Sequence, residues 1–232
     1  MSLRLFKLSV IVPVFNEKKT VLELIECIQK VEVPKEIIIV DDGSSDGTRE
    51  ILGRYALNTP DIRVIFHDEN KGKGSAVRTG IRVATGDAII IQDADLEYDP
   101  RDYRPLLEAM EGGKANVIYG SRFIHKTKVT AFWHRFVNYF LTGLANYLYS
   151  AKLTDMETCY KLFRTEILKD MEIVSQSFEI EVELTAKVLK KGERIFEVPI
   201  SYKGRSYHEG KKIGWRDGVK ALWALLRYRF GP

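Results

Sequence analysis

The chain has 232 residues, 45% hydrophobic and 29% charged, enough apolar material for a core and a balance that excludes intrinsic disorder and collagen-like structure. Its 36 Lys plus Arg against 32 Asp plus Glu leave a formal charge of +4, compatible with an anionic partner. No nucleic-acid motif accompanies that mild excess, so nucleic acid is not expected as a partner.

In chain order, Lys7 to Val14 reads as a strand. The basic Arg4 and Lys7 precede an apolar run that stops at Pro13 and Asn16 without a small-residue cleavage site, so no signal peptide is expected. Lys18 to Val31 repeats Val21, Leu24, Ile25 and Ile28 at helical spacing, and Glu36 to Val40 is a buried strand. The pattern then repeats as helix Ser45 to Leu57, strand Ile62 to Phe66, helix Gly74 to Ala84 and strand Ala88 to Gln92. Helix Pro105 to Glu111 and strand Ala115 to Gly120 follow. Such alternation predicts βα units around a mixed, largely parallel central sheet flanked by helices, an α/β fold.

Beyond Arg122 the rhythm changes to a long aromatic helix, Phe132 to Tyr149, a turn at Thr154 to Thr158 and a strand-like piece at Tyr160 to Phe163. Helix Phe178 to Lys190, strand Arg194 to Tyr202, a Gly- and Lys-rich loop Lys203 to Gly214 and a terminal helix Trp215 to Tyr228 complete the chain. The richest apolar window, Val129 to Leu153, is interrupted by His134, Arg135, Asn138 and Asn146 and falls short of the roughly 18–20 apolar residues of a membrane span. Cys27 and Cys159 form no CxxC pattern, which argues against a disulfide framework or zinc cluster and for a reducing compartment. No linker divides the chain, and a single domain over residues 1–232 is expected.

Chemistry concentrates where strands end. Asp93 and Asp95 follow the apolar run Ala88 to Ile91, and residues two apart in extended chain face one side, so both carboxylates can serve one hard divalent cation. Mg²⁺ or Mn²⁺ shared with a diphosphate would stabilise a departing nucleoside diphosphate. Asp41-Asp42-Gly43-Ser44 puts a second acidic pair on the same rim, where open α/β sheets bind ligands, and Asp42 is suited to hold a ribose or base. The run Asn70-Lys71-Gly72-Lys73-Gly74 lacks the GxxxxGK[ST] spacing of a phosphate cradle and reads as a structural turn.

Val12-Pro13-Val14-Phe15-Asn16-Glu17, Val40-Asp41-Asp42-Gly43-Ser44 and Asp93-Ala94-Asp95, in that order, resemble the signatures of family 2 glycosyltransferases with the GT-A fold. Gly120-Ser121-Arg122-Phe123, Glu197-Val198-Pro199-Ile200 and Arg205 with Gly210-Lys211-Lys212 are similar, more narrowly, to polyprenyl-phosphate sugar transferases such as dolichyl-phosphate mannose and glucose synthases. The resemblance covers nearly the whole chain. It implies an inverting transfer of a hexose from a nucleotide diphosphate sugar, GDP-mannose or UDP-glucose, to a polyprenyl phosphate.

By the same resemblance Pro13, Phe15 and Glu17 surround the nucleobase, and Val40 with Asp42 completes the nucleoside pocket. Asp93 and Ala94 line the diphosphate, and Asp95 is the principal metal ligand. Glu97 departs from the pattern, since many dolichyl-phosphate mannose synthases carry Gln there; two residues beyond Asp95, it reads physically either as a third oxygen ligand on that face or as a surface acid. Arg122, Arg205 and Lys211 meet the phosphates of donor and acceptor, as guanidinium forks and a mobile ammonium can. Asp155 is the candidate base, although a phosphate acceptor already carries its charge and needs orientation more than deprotonation. Residues 1–121 would bind the nucleotide sugar and residues 122–232 would face the acceptor.

The apolar and basic faces of the terminal helix suit a membrane surface, so a peripheral position on the cytoplasmic face of a membrane is expected. A separate membrane protein is a conceivable further partner. Two rival readings are a family 2 enzyme that glycosylates a saccharide hydroxyl and a non-catalytic module that binds nucleotide sugar or anionic lipid.

Overall fold

The computed structural model describes residues 6–57, 59, 61–124, 132–204 and 215–231. Strands β1 (Leu8–Val14), β2 (Lys35–Asp41), β3 (Ile62–Phe66) and β4 (Ala88–Ile91) alternate with helices α1 (Val21–Gln29), α2 (Thr48–Leu57) and α3 (Lys73–Val83). Then follow α4 (Tyr103–Glu111), β5 (Val117–Ser121), α5 (Phe132–Tyr149), β6 (Lys161–Arg164), α6 (Thr165–Lys169), α7 (Ile180–Lys190), β7 (Ile195–Pro199) and α8 (Trp215–Phe230). β1, β2 and β4 are nearly continuous apolar runs because helices cover both faces of the sheet, and Val10, Ile11, Ile38, Ile39, Ile89 and Ile90 are fully buried. α1 buries Val21, Leu24, Ile25 and Ile28, the stripe expected from its spacing.

The strand order is β3-β2-β1-β4-β6-β5-β7. β3, β2, β1 and β4 are parallel, as are β5 and β7, while β6 runs antiparallel between β4 and β5. This register determines where chemistry can occur. The carboxyl ends of β1, β2, β4, β5 and β7 all reach one rim, and the reversed β6 brings the turn that precedes it to the same rim. Ligands of open α/β sheets bind there.

Several sequence expectations change at the ends of elements. The helix expected from Lys18 begins at Val21, because residues 18–20 form a turn in which Glu17 O accepts from the Thr20 and Val21 N–H groups. The helix expected from Ser45 begins at Thr48, because the Asp46 carboxylate accepts from the Thr48 N–H at 3.0 Å. α4 starts ahead of Pro105, which is tolerated in a first turn where no N–H is needed, and a 3-10 turn at Pro100–Asp102 leads into it. β7 is shorter than the expected Arg194 to Tyr202: its ladder stops at Pro199, and Tyr202 forms an isolated bridge with Tyr98. The short α6 carries too few residues for periodicity to reveal it. No helix among the described residues is long and apolar enough to cross a membrane.

Candidate functional site

At the β1 and β2 end of the rim, two loops are stitched together. Asn16, at φ 54°, donates its N–H to Ser44 Oγ at 2.9 Å and accepts from the Ser45 N–H at 2.9 Å. The Glu17 N–H donates to Thr48 Oγ1 at 3.0 Å, and the Thr20 hydroxyl donates to the Ala94 carbonyl at 2.7 Å, tying this loop to the Asp93–Asp95 segment. Pro13, Phe15 and Glu17 are half-buried beside these contacts, whereas the Val40 side chain is wholly inside the core.

Asp42 is 2% exposed, and its carboxylate faces inward. It accepts from the N–H groups of Lys71 at 3.0 Å and Gly72 at 2.7 Å, and His67 Nδ1 lies 2.7 Å away. The Asn70–Gly74 run is thus the partner of Asp42. Gly72, at φ +88°, packs its Cα against the Gln176 carbonyl, where a Cβ would collide. Gly72→Ala is therefore expected to destabilise the fold by about 2 kcal/mol or more, read as a lower denaturant midpoint at unchanged slope.

Beyond β4, the Asp95 carboxylate accepts from the Glu97 N–H at 3.1 Å, and Glu97 accepts from the Tyr202 hydroxyl. Asp93, a quarter exposed, is held by Lys73 Nζ at 2.7 Å. Lys73 also reaches Glu181 at 3.0 Å, and Glu181 reaches Lys161 at 2.6 Å, so alternating charges run from Asp93 into the interior. Burial opposes the Lys73 charge, but Asp93, Cys159 and Glu181 together outweigh it and keep the ammonium well above its ordinary range. Lys161 in turn grips the Met156 and Thr158 carbonyls at 2.9 and 2.5 Å.

Asp93, Asp95 and Glu97 form an all-oxygen donor set, the kind hard cations take. Among the described residues no three His, Cys, Asp or Glu side chains form a ready-made cluster. Asp93 is paired with Lys73 and Glu97 with the Tyr202 hydroxyl, so it is the oxygen chemistry of the set, not a preformed cage, that suits a hard cation such as Mg²⁺, which commonly keeps water and substrate phosphate as ligands.

Across the rim, Arg122 and Asp155 form a bidentate pair, Nε to Oδ2 and Nη2 to Oδ1 both at 2.7 Å. Asp155 also accepts from the Arg122 N–H at 3.1 Å and from Asn138 Nδ2 at 3.1 Å, and it is completely buried. The Thr154 and Asp155 N–H groups donate to Glu197, whose carboxyl is pushed up by burial. The Arg122 guanidinium stacks 5.0 Å from the Tyr202 ring centre, and Tyr202 packs edge-on against Tyr98. Arg205 and Lys211 lie outside the described residues; within them, the Lys203 N–H donates to Glu97 O at 2.8 Å. Burial pushes the Cys159 thiol up, so it stays protonated and is no nucleophile.

Lys161, Glu181, Tyr202 and Glu157 were not singled out by motif; Lys73 fell in a run read as a structural turn, and Glu197 was noted only as part of the Glu197–Ile200 signature, with no role in the site. A lysine within a buried strand and acids on a buried helix face are nevertheless visible signals, since such charges are rarely buried unless paired.

Residues 9–172 match the model of the family described as glycosyl transferase family 2. A dolichol-phosphate mannosyltransferase of Pyrococcus furiosus is 29% identical over 96% of this chain, which spans 62% of that relative's length. An undecaprenyl-phosphate mannosyltransferase of Micrococcus luteus is 27% identical over 95% of this chain and 98% of its own. The fold is shared with the glucosyl-3-phosphoglycerate synthase of Mycobacterium tuberculosis, solved with Mn²⁺, UDP and phosphoglyceric acid, at a TM-score of 0.75 and 18% identity over 98% of this chain and 80% of that one. With the motifs in order along one rim, this chain is a glycosyltransferase that belongs to glycosyl transferase family 2.

Proposed function

We propose that the protein transfers a hexose from a nucleotide diphosphate sugar, GDP-mannose or UDP-glucose, to a polyprenyl phosphate, with inversion at the anomeric carbon. The observation that carries this reading is Arg122, locked by a buried carboxylate and stacked on Tyr202, whose hydroxyl donates to Glu97 of the Asp93–Glu97 loop. An acceptor that is itself a phosphate needs such a fixed cation and needs no base. The names of the relatives from P. furiosus and M. luteus support the lipid-phosphate acceptor.

In this reading one unit carries both tasks, with residues 1–121 binding donor and residues 122–232 facing acceptor. Pro13, Phe15 and Glu17 flank the nucleobase, while Asp42 holds the Asn70–Gly72 loop that closes the nucleoside side. Asp95, with Asp93 and Glu97, would hold Mg²⁺ or Mn²⁺, which when bound neutralises the departing diphosphate. Lys73 fixes the Asp93 carboxylate, and Ala94 lines the diphosphate. Arg122 orients the acceptor phosphate for in-line attack, and Asp155 fixes Arg122 rather than removing a proton. Arg205 and Lys211 would add charge to the phosphates from the following loop.

The reading includes peripheral residence on the cytoplasmic face of a membrane. α5 exposes Phe136, Phe140 and Tyr147, and α8, packed against it, exposes Val219, Trp223, Leu226 and Phe230. Arg227 lies over the Trp223 ring, a mixture of arginine and aromatic suited to a lipid interface. Trp223→Ser with Phe230→Ser is expected to abolish cosedimentation with anionic vesicles containing a polyprenyl phosphate. Equal sedimentation of both proteins would remove the membrane claim.

The decisive experiment is mass-resolved product analysis with Mg²⁺ or Mn²⁺, a short polyprenyl phosphate and a panel including GDP-mannose and UDP-glucose. A lipid-linked sugar phosphate is the expected product. Turnover on saccharide acceptors alone would overturn the lipid-phosphate reading.

A further inference from the structure

Among the described residues two buried side-chain oxygens have no hydrogen-bond partner, Asp41 Oδ1 and Glu157 Oε1. Asp41 ends β2 at the nucleoside side of the rim. Glu157 lies on the turn before β6, and that turn is otherwise pinned. Glu197 takes the Thr154 and Asp155 N–H groups, Thr142 Oγ1 takes the Met156 N–H, and Lys161 holds the Met156 and Thr158 carbonyls. A rigid turn that leaves one carboxylate oxygen unpartnered keeps a cost that a neutral or apolar side chain would remove.

The position suggests why it is kept. Two residues earlier, Asp155 is committed to Arg122 on the acceptor side. Two residues later, the Cys159 thiol lies against the Ile91 carbonyl and within 3.8 Å of Lys73, which grips Asp93 on the donor side. Glu157 therefore sits on the turn midway between a residue that holds the acceptor-side Arg122 and one that lies against the donor-side Lys73. A phosphate would be repelled by its carboxylate, whereas a sugar hydroxyl donates to one.

We propose that Glu157 is a specificity-determining residue that accepts a hydrogen bond from a hydroxyl of the transferred hexose. This rests on the donor reading above and adds the residue that recognises the sugar itself. The groups facing it are Lys161 of β6, Glu181 of α7, Arg122 after β5 and Asp155 of its own turn. Burial, with Glu181 and Asp155, pushes its carboxyl up to about 7 against the pull of Lys161 and Arg122.

The test is calorimetric titration of wild type, Glu157→Gln and Glu157→Ala with UDP, GDP, UDP-glucose and GDP-mannose in Mg²⁺. Both variants are expected to bind the nucleoside diphosphates as wild type does, but to lose about tenfold or more in affinity for the preferred nucleotide sugar. Thermal melts keep folding separate from binding. The folded-state value of about 7 lies above the ordinary 4.5, so wild type loses stability as pH rises through that window. Glu157→Gln should therefore melt above wild type at pH 8, with the gap shrinking toward pH 5. An unchanged ratio of nucleotide-sugar to nucleoside-diphosphate affinity in both variants overturns the proposal. A wild-type chain that binds none of the four ligands overturns the donor reading, and this inference falls with it.

Discussion

Asp95→Ala is expected to cut transfer by about a thousandfold while moving the melting temperature by no more than about 3 °C. The two effects separate because the Asp95 carboxylate, half-buried on the loop after β4, accepts from the Glu97 N–H of its own turn and is not part of the apolar core. Losing that contact costs about 1 kcal/mol. Charge stabilisation of a departing diphosphate by a divalent cation is worth several kcal/mol, and about 4 kcal/mol corresponds to three orders of magnitude in rate. Initial rates across a Mg²⁺ titration, paired with a thermal melt, decide the matter. Activity within tenfold of wild type, with the same metal dependence, would remove Asp95 from the metal site.

Asp155→Ala is expected to act the other way round, damaging the fold first. Removing this carboxylate leaves the Arg122 guanidinium, only 11% exposed, without its counter-charge. An orphaned buried charge costs about 3–5 kcal/mol, which for a chain of this size is a fall of roughly 10 °C in melting temperature. Asn138 and the Arg122 N–H lose an acceptor at the same time. Transfer should collapse with it, because Arg122 no longer has a fixed direction.

Asp155→Asn is the discriminating variant, since it keeps the shape and one acceptor oxygen. If Asp155 only positions Arg122, the variant shows a raised KM for the lipid phosphate and a pH–rate profile of unchanged form. If Asp155 were a base acting on a saccharide hydroxyl, the variant would instead lose kcat by orders of magnitude at normal stability. That result would overturn the positioning role.

The parallel half of the fold was legible because its signals are local. β1, β2 and β4 must be apolar on both faces, α1 must be apolar on one, and each period appears within a short window of sequence. The acidic segments at strand ends were legible for the same reason, since a βα unit always delivers its loop to the carboxyl rim. The orientation of β6 was not. Tyr160 to Phe163 could be read as extended, but pairing with β4 and β5 depends on residues far away in sequence.

That one antiparallel insertion accounts for much of the site. It carries Thr154–Cys159 to the rim, sets Asp155 on Arg122 and leaves a buried Glu157 oxygen without a hydrogen-bond partner. Lys73 shows the same limit: its stretch lacks phosphate-loop spacing, and its bonds to Asp93 and Glu181 join segments that only packing brings together. By itself the sequence determined the α/β class, the rim carrying Asp42, Asp93 and Asp95, and the family, because these rest on periodicity and on contiguous motifs. Only the tertiary structure decided that Asp42 and Asp155 face inward to hold other groups and that a buried charge ladder backs Asp93. A side chain's partner is set by long-range packing, which no local pattern encodes.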